Sequence, residues 1–186
     1  MHIRVATLHD AALLAEFGAK TFHDTFEADN TEADMASYLA TAFSPAVQAR
    51  ELQDQNSTFL IAQADGAKVG YARLRFGESR PCIDGRNPVE IARLYVDRPW
   101  IGRGAGPALM QTSLDLAAHK GCDVVWLDVW EKNYRALAFY AKWGFEVVGE
   151  QHFLLGTDLQ NDLLMARPVS EMRPRSPGSG TQEDPS

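Results

Sequence analysis

Apolar and polar positions along the chain switch between two periods, one of about two residues and one of three to four. His2-Ile-Arg-Val-Ala6 alternates as a short strand does. From Asp10 to Phe22, apolar residues at 13, 14 and 17 keep a helical spacing. Thr31, with Asp34 three residues on, reads as a helix N-cap with an acidic first turn. That helix is expected to run to about Phe43, and Ser44-Pro45 opens another short one. Residues 58–62 (TFLIA) and 69–76 flank the turn pair Asp65-Gly66, the pattern of a hairpin. Residues 77–88, rich in Gly, Pro and Asn, read as a loop.

The second half predicts a strand over 90–96, a turn over 97–104, a helix from about 105 to 120 and a strand over 123–129. A helix over 133–143 and closing strands over 145–149 and 152–167 follow. Strand–helix–strand in this order implies neighbouring parallel strands joined by a right-handed crossover. From Pro168 the chain turns to Pro, Ser, Gly and charge. We therefore expect one domain over 1–168 and a disordered tail over 169–186.

Composition narrows the function classes. Two cysteines, Cys82 and Cys122, give neither a disulfide framework nor a CxxC pair, which suits a reducing cytoplasm. Five scattered histidines without an HxxxH pair give no support to a catalytic metal. No apolar run approaches membrane-spanning length, and the first residues lack the pattern of a secretory signal, so no membrane role is expected. A formal net charge of −7 argues against a nucleic-acid surface, which needs clustered Lys and Arg. Asp24, Glu27, Asp29, Glu32 and Asp34 fall in a stretch without Lys or Arg between Lys20 and Arg50. They form either a solvated helix face or a field that draws a cationic substrate.

Two motifs carry chemistry. Gly102-Arg103-Gly104-Ala105-Gly106 lies between a strand and a helix, where glycines turn successive N–H groups outward at the positive end of the helix dipole. Such a nest suits a phosphate or pyrophosphate, to which Arg103 adds a charge-assisted contact; alternatively the glycines only permit a tight turn. Pro107 and Ala108 follow Gly106, so the GxxxxGK[ST] pattern of a nucleotide P-loop fails. The GxGxxG dinucleotide fingerprint is missed by one residue. The second motif follows the next strand: Asn133, Ala136, Phe139-Tyr140, Lys142 and Gly144-Phe145. Asn133 and Tyr140 stand two helical turns apart on one face, with roughly 10 Å of rise between them. An extended thioester could touch Asn133 and bring its sulfur to Tyr140; equally, Asn133 could only cap the helix and Tyr140 only fill the core.

Together these motifs resemble the GNAT superfamily of N-acetyltransferases, with its [Q/R]xxGx[G/A] loop and NxxAxxFYxKxGF helix. The helix pattern is complete here, and the loop departs only at its first position, Ile101. The resemblance implies the GNAT fold over about 2–167: a mixed twisted α/β sheet with helices on both faces and a splayed parallel pair. It implies acetyl-CoA as co-substrate and no metal. Leu94, Tyr95 and Val96 would offer a backbone edge to the pantetheine arm, residues 102–106 would hold the pyrophosphate, and Asn133 and Lys142 would complete the site. Residues 21–43, 126–145 and 161–166 further resemble the PaiA-type acetyltransferases of spermidine and spermine. That likeness implies a small polyamine acceptor, with Glu27 and Asp29 on its side of the cleft, and leaves a homodimer open. A peptide N-terminus or another small amine, or a non-catalytic acyl-CoA-binding regulator, are the alternatives. An acceptor of this kind arrives protonated and must lose a proton before it attacks. Glu90 is the candidate base, directly or through water, or else a structural carboxylate. Tyr140 is the candidate acid for the departing thiolate, and Asp128 is expected to shape the pocket.

Overall fold

The computed structural model describes residues 1–155 and 158–169, and of Asp29 only the backbone. The tail expected over 169–186 lies, except for Val169, outside the described residues. In chain order the elements are β1 (His2–Val5), α1 (Ala11–Phe26), α2 (Glu32–Ala42), α3 (Pro45–Gln53), β2 (Ser57–Ala64) and β3 (Ala67–Phe76). Then come β4 (Pro88–Val96), α4 (Ala105–His119), β5 (Val124–Trp130), α5 (Tyr134–Lys142), β6 (Glu146–Leu155) and β7 (Asp158–Pro168).

Local signals start and stop these elements. The Thr31 side chain accepts the Asp34 N–H at 3.2 Å and Ser44 accepts that of Val47 at 3.3 Å, so α2 and α3 begin on side-chain caps. Asp65 (φ 50°) and Gly66 (φ 77°) supply the two left-handed residues that join β2 to β3. The strands form one sheet in the order β1-β2-β3-β4-β5-β7-β6. All neighbours are antiparallel except β4 and β5, which α4 connects.

Alternation along β2 sorts the core into two faces. Leu60 and Ala62 point to the side covered by α4, where Ala105, Leu109, Met110 and Ala117 are buried together with Tyr140 and Phe145. Phe59 and Ile61 point the other way, against Leu14 of α1 and Tyr71. Beside them Phe22, Met35, Phe43 and Leu155 tie α1 and α2 to the end of β6. On this second face Glu51 of α3 accepts from Arg73 at 2.6 Å and from Arg93 at 2.7 Å, joining β3 and β4 to the helix layer. Among the described residues no helix is long and apolar enough to cross a membrane.

The closing strands differ from the sequence expectation, and the stretch 152–167 is shared between the end of β6 and β7. The closing strands do not break at 150–151, because β6 continues from Glu146 to Leu155. Its register with β7 shifts between Val147 and Gly149, so Val148 bulges. A Cβ at Gly149 would come within 2.8 Å of the Cys82 sulfur. A bulge followed by a glycine interrupts the alternation and so imitates a strand end.

Candidate active site

The site begins where the parallel pair ends. β4 and β5 are paired only through Pro88–Glu90 and Val124–Trp126. From Ile91 to Val96, β4 keeps its ladder with β3 but has no strand among the described residues on its other edge. The β3 register skips Ala92, since Arg73 faces Arg93 and Leu74 faces Ile91. That bulge bends β4 at the point where it leaves β5. A cavity of about 300 Å³ fills the gap, and Leu94, Tyr95 and Val96 line its wall.

At one end the cavity reaches Gly102 and Gly106. Gly102 (φ 79°) and Gly104 (φ 89°) are both left-handed, and a Cβ on either would meet no described atom within 4 Å. Gly104 is the N-cap of α4, whose first bond runs from Ala108 N–H to Gly104 O at 3.0 Å. The N–H groups of Ala105 and Gly106 precede any helical carbonyl they could reach, and Pro107 has none. The result is an open, backbone-lined turn at the positive end of a helix, suited to an anion. Ala105 itself is buried in the core, and the Arg103 guanidinium lies 5.8 Å from the centre of the Trp100 ring.

Asn133 and Tyr140 both line the cavity from α5. Asn133 is the N-cap of that helix, its side chain accepting the Ala136 N–H at 3.2 Å. Tyr140 stands edge-on to Phe139 and Phe145, with ring centres 5.5 and 5.9 Å away. Burial raises the pKa of its phenol, and the nearby Asp128 carboxylate raises it further. The hydroxyl therefore keeps its proton across the physiological range.

Aromatic and acidic side chains complete the lining of the cavity. Phe22 and Phe26 of α1, Tyr38 of α2, Trp130 of β5 and Phe153 of β6 form its walls. Asp128 of β5 and Asp162 of β7 reach into it. Burial raises the pKa of Asp128, whose Oδ2 accepts from Gln151 at 3.1 Å. Asp162 is pushed up to about 7, first by burial and then by the charge of Asp128.

Other residues singled out in the sequence lie elsewhere. Glu90 does not line the cavity; it is 3% exposed and paired with Arg75 across the β3–β4 ladder. Burial raises its pKa, and Arg75 partly offsets the rise. Lys142 is exposed in the last turn of α5, outside the cavity lining. Glu27 is half exposed and lies 3.3 Å from His23, again outside the lining. The Asp29 side chain is outside the described residues. Asp162 went unnoticed in the sequence, although it sits at an inward strand position two residues before the buried Leu164. A charge at an inward position was the available signal. Among the described residues, no group of three or more His, Cys, Asp or Glu is placed to hold a metal ion.

Comparison with known proteins adds four findings. The family model described as acetyltransferase (GNAT) matches residues 19–145. An uncharacterised N-acetyltransferase of Mycobacterium tuberculosis is 39% identical over 158 residues, covering 85% of this chain and 97% of its own length. The N-alpha-acetyltransferase RimI of the same organism is 37% identical over 106 residues, covering 56% of this chain and 62% of its own. Among solved structures, the PaiA N-acetyltransferase of Thermoplasma acidophilum, in complex with coenzyme A, superposes with a TM-score of 0.71 at 21% identity. That match covers 90% of this chain and 99% of the other.

Proposed function

Because the chain belongs to the acetyltransferase (GNAT) family, we propose that it acetylates a small cationic amine, a polyamine such as spermidine or spermine, at the expense of acetyl-CoA. The observation that carries this is the gap between β4 and β5, whose cavity is lined both by the glycine turn and by two carboxylates. The gap fits acetyl-CoA on its own geometry. An unpaired strand edge at Leu94–Val96 meets the amide-bearing arm, and a turn without Cβ atoms meets the pyrophosphate. Coenzyme A bound to the Thermoplasma PaiA protein, which shares this fold, supports the same cofactor here.

When bound, acetyl-CoA supplies the activated acyl group, whose carbon–sulfur bond breaks as the amine nitrogen bonds to the carbonyl carbon. The residues of the chain do the rest. Backbone groups of residues 102–106, with Arg103, hold the pyrophosphate in place of water. Leu94–Val96 align the extended arm beside β4, and Asn133 fixes the start of α5 so that Tyr140 faces the sulfur position. Tyr140, whose proton is held firmly by its buried setting, donates it to the leaving sulfur. The aromatic walls exclude water here and favour an alkylammonium through their ring faces. Glu90 is tied to Arg75 behind the cavity, so proton uptake belongs to a carboxyl that lines it.

A second reading has one observation in its favour: the likeness to RimI over 106 residues supports a peptide N-terminus as acceptor. A thiol-release assay on purified protein with polyamines, amino acids, aminoglycosides and short peptides separates the two. Polyamine turnover well above peptide turnover supports the first reading, and the reverse order overturns it.

A further inference from the structure

Building on the transferase reading of this cavity, we propose that Asp162 and Asp128 form the subsite for the acceptor's ammonium group, and that Asp162 takes the proton which the amine must lose. Strand register places the pair. Trp130 of β5 faces Asp162 of β7, and Asp128 faces Leu164. Residues two apart share a face, so both carboxylates project from the same side of adjacent strands as diagonal neighbours, about 7–8 Å apart at their backbones. Both line the one cavity.

Asp162 is the distinctive member. It is 7% exposed, yet its carboxylate has no hydrogen-bond partner among the described residues. A buried carboxyl without a partner is costly and is retained where a ligand completes it. No cation is among the groups that shift its titration, although Arg135 also lines the cavity. Asp128 is its diagonal neighbour on β5, and the Tyr38 phenol from α2 senses both carboxylates. The Tyr140 phenol from α5 stands near Asp128. Arg75 is taken by Glu90, and Arg80 lies over the Trp126 ring at 5.1 Å while donating to Gln151. Arg93 lines the cavity, but its guanidinium is held by Glu51 and Gln48. Asp162 is therefore open to a cation that arrives from outside, and a neutral or anionic acceptor would leave it uncompensated.

Proton accounting fits the pair. A primary ammonium brings three protons. One remains on the amide nitrogen, one ends on the departing sulfur by way of Tyr140, and one passes to Asp162 and then to solvent. Asp128, held by Gln151, stays in place to keep the nitrogen oriented. Asp162 acts as base only once it is ionised, so activity rises as pH passes through its titration near 7.

The test uses the full chain, with Asp162→Asn and Asp128→Asn beside wild type. Spermidine serves as the cationic acceptor, and an arylamine that arrives unprotonated serves as the comparison. Acetyl-CoA binding by calorimetry reports folding and cofactor affinity separately from the acceptor. We expect Asp162→Asn to bind acetyl-CoA as wild type does and to lose roughly 10²–10⁴-fold in kcat/KM for spermidine. We expect it to lose the rise in rate near pH 7 and to keep most of its arylamine turnover. Asp128→Asn should raise the spermidine KM more than it lowers kcat. Equal losses for both acceptors, or an unchanged pH profile in Asp162→Asn, would overturn this assignment alone. A wild-type protein that releases no thiol with any amine would overturn the transferase reading and this one with it.

Discussion

A buried carboxyl with a raised pKa leaves a mark on stability as well as on catalysis. In the fold Asp162 titrates at about 7 against an ordinary value of 3.8. Between those two pH values the folded protein holds a proton that the unfolded chain has released, so stability falls as pH rises through the window. The loss is complete above about pH 7 and absent below about pH 4. At about 1.4 kcal/mol per pKa unit, the full rise would be worth roughly 4 kcal/mol. Water at the cavity mouth screens the charge, which brings the expected effect to about 2 kcal/mol. Asparagine has nearly the same shape and does not titrate. Asp162→Asn should therefore gain about 2 kcal/mol on wild type between pH 4 and pH 8, or roughly 4–8 °C in melting temperature for a chain of this size. Urea unfolding of both proteins at several pH values measures the difference directly. Parallel stability–pH curves would refute the reasoning, because they would mean that Asp162 ionises as freely in the fold as in the unfolded chain.

Three further outcomes are expected. Gly104→Glu sets a side chain and a negative charge in the left-handed turn before α4, so calorimetry should show acetyl-CoA affinity severely reduced; unchanged affinity would remove the turn from the cofactor site. Tyr140→Phe loses one hydroxyl, so it should fold and bind acetyl-CoA normally while chemistry-limited turnover drops roughly 10²–10⁴-fold; wild-type turnover would transfer the acid role to water. Glu51→Gln leaves Arg73 and Arg93, each about 90% buried at the side chain, without their shared counter-charge, and chemical denaturation should record a loss of about 3–5 kcal/mol.

What the sequence made legible was local. The caps at Thr31 and Ser44, the Asp65-Gly66 turn and the paired strand–helix units are each set by a few neighbouring residues, and they stand where those residues predict. The glycine turn and the Asn133–Tyr140 helix were readable for the same reason, since each is a short continuous segment. The acidic pair was not readable. Asp128 and Asp162 meet only through the pairing of β5 with β7, and which strand β7 would join is written in no local pattern. The acidic stretch after Lys20 drew attention to Glu27 by count, yet that carboxylate lies near His23 at the surface. A count of charges cannot separate those that a helix turns outward from those that a strand turns inward.

The unpaired edge of β4 has a bearing on solubility. Exposed strand edges invite pairing with other chains, and a sheet ordinarily has two of them, at its outer strands. Here a third edge lies in the middle of the sheet, between β4 and β5. Phe22 and Phe26 of α1 roof it on one face, and Phe139 and Tyr140 of α5 on the other. A foreign strand, with side chains alternating above and below its backbone, would collide with both roofs. A slender chain of amides and methylenes would not. The protein can therefore keep six residues of strand edge open for its ligand without offering them to a neighbouring copy as a seed for aggregation.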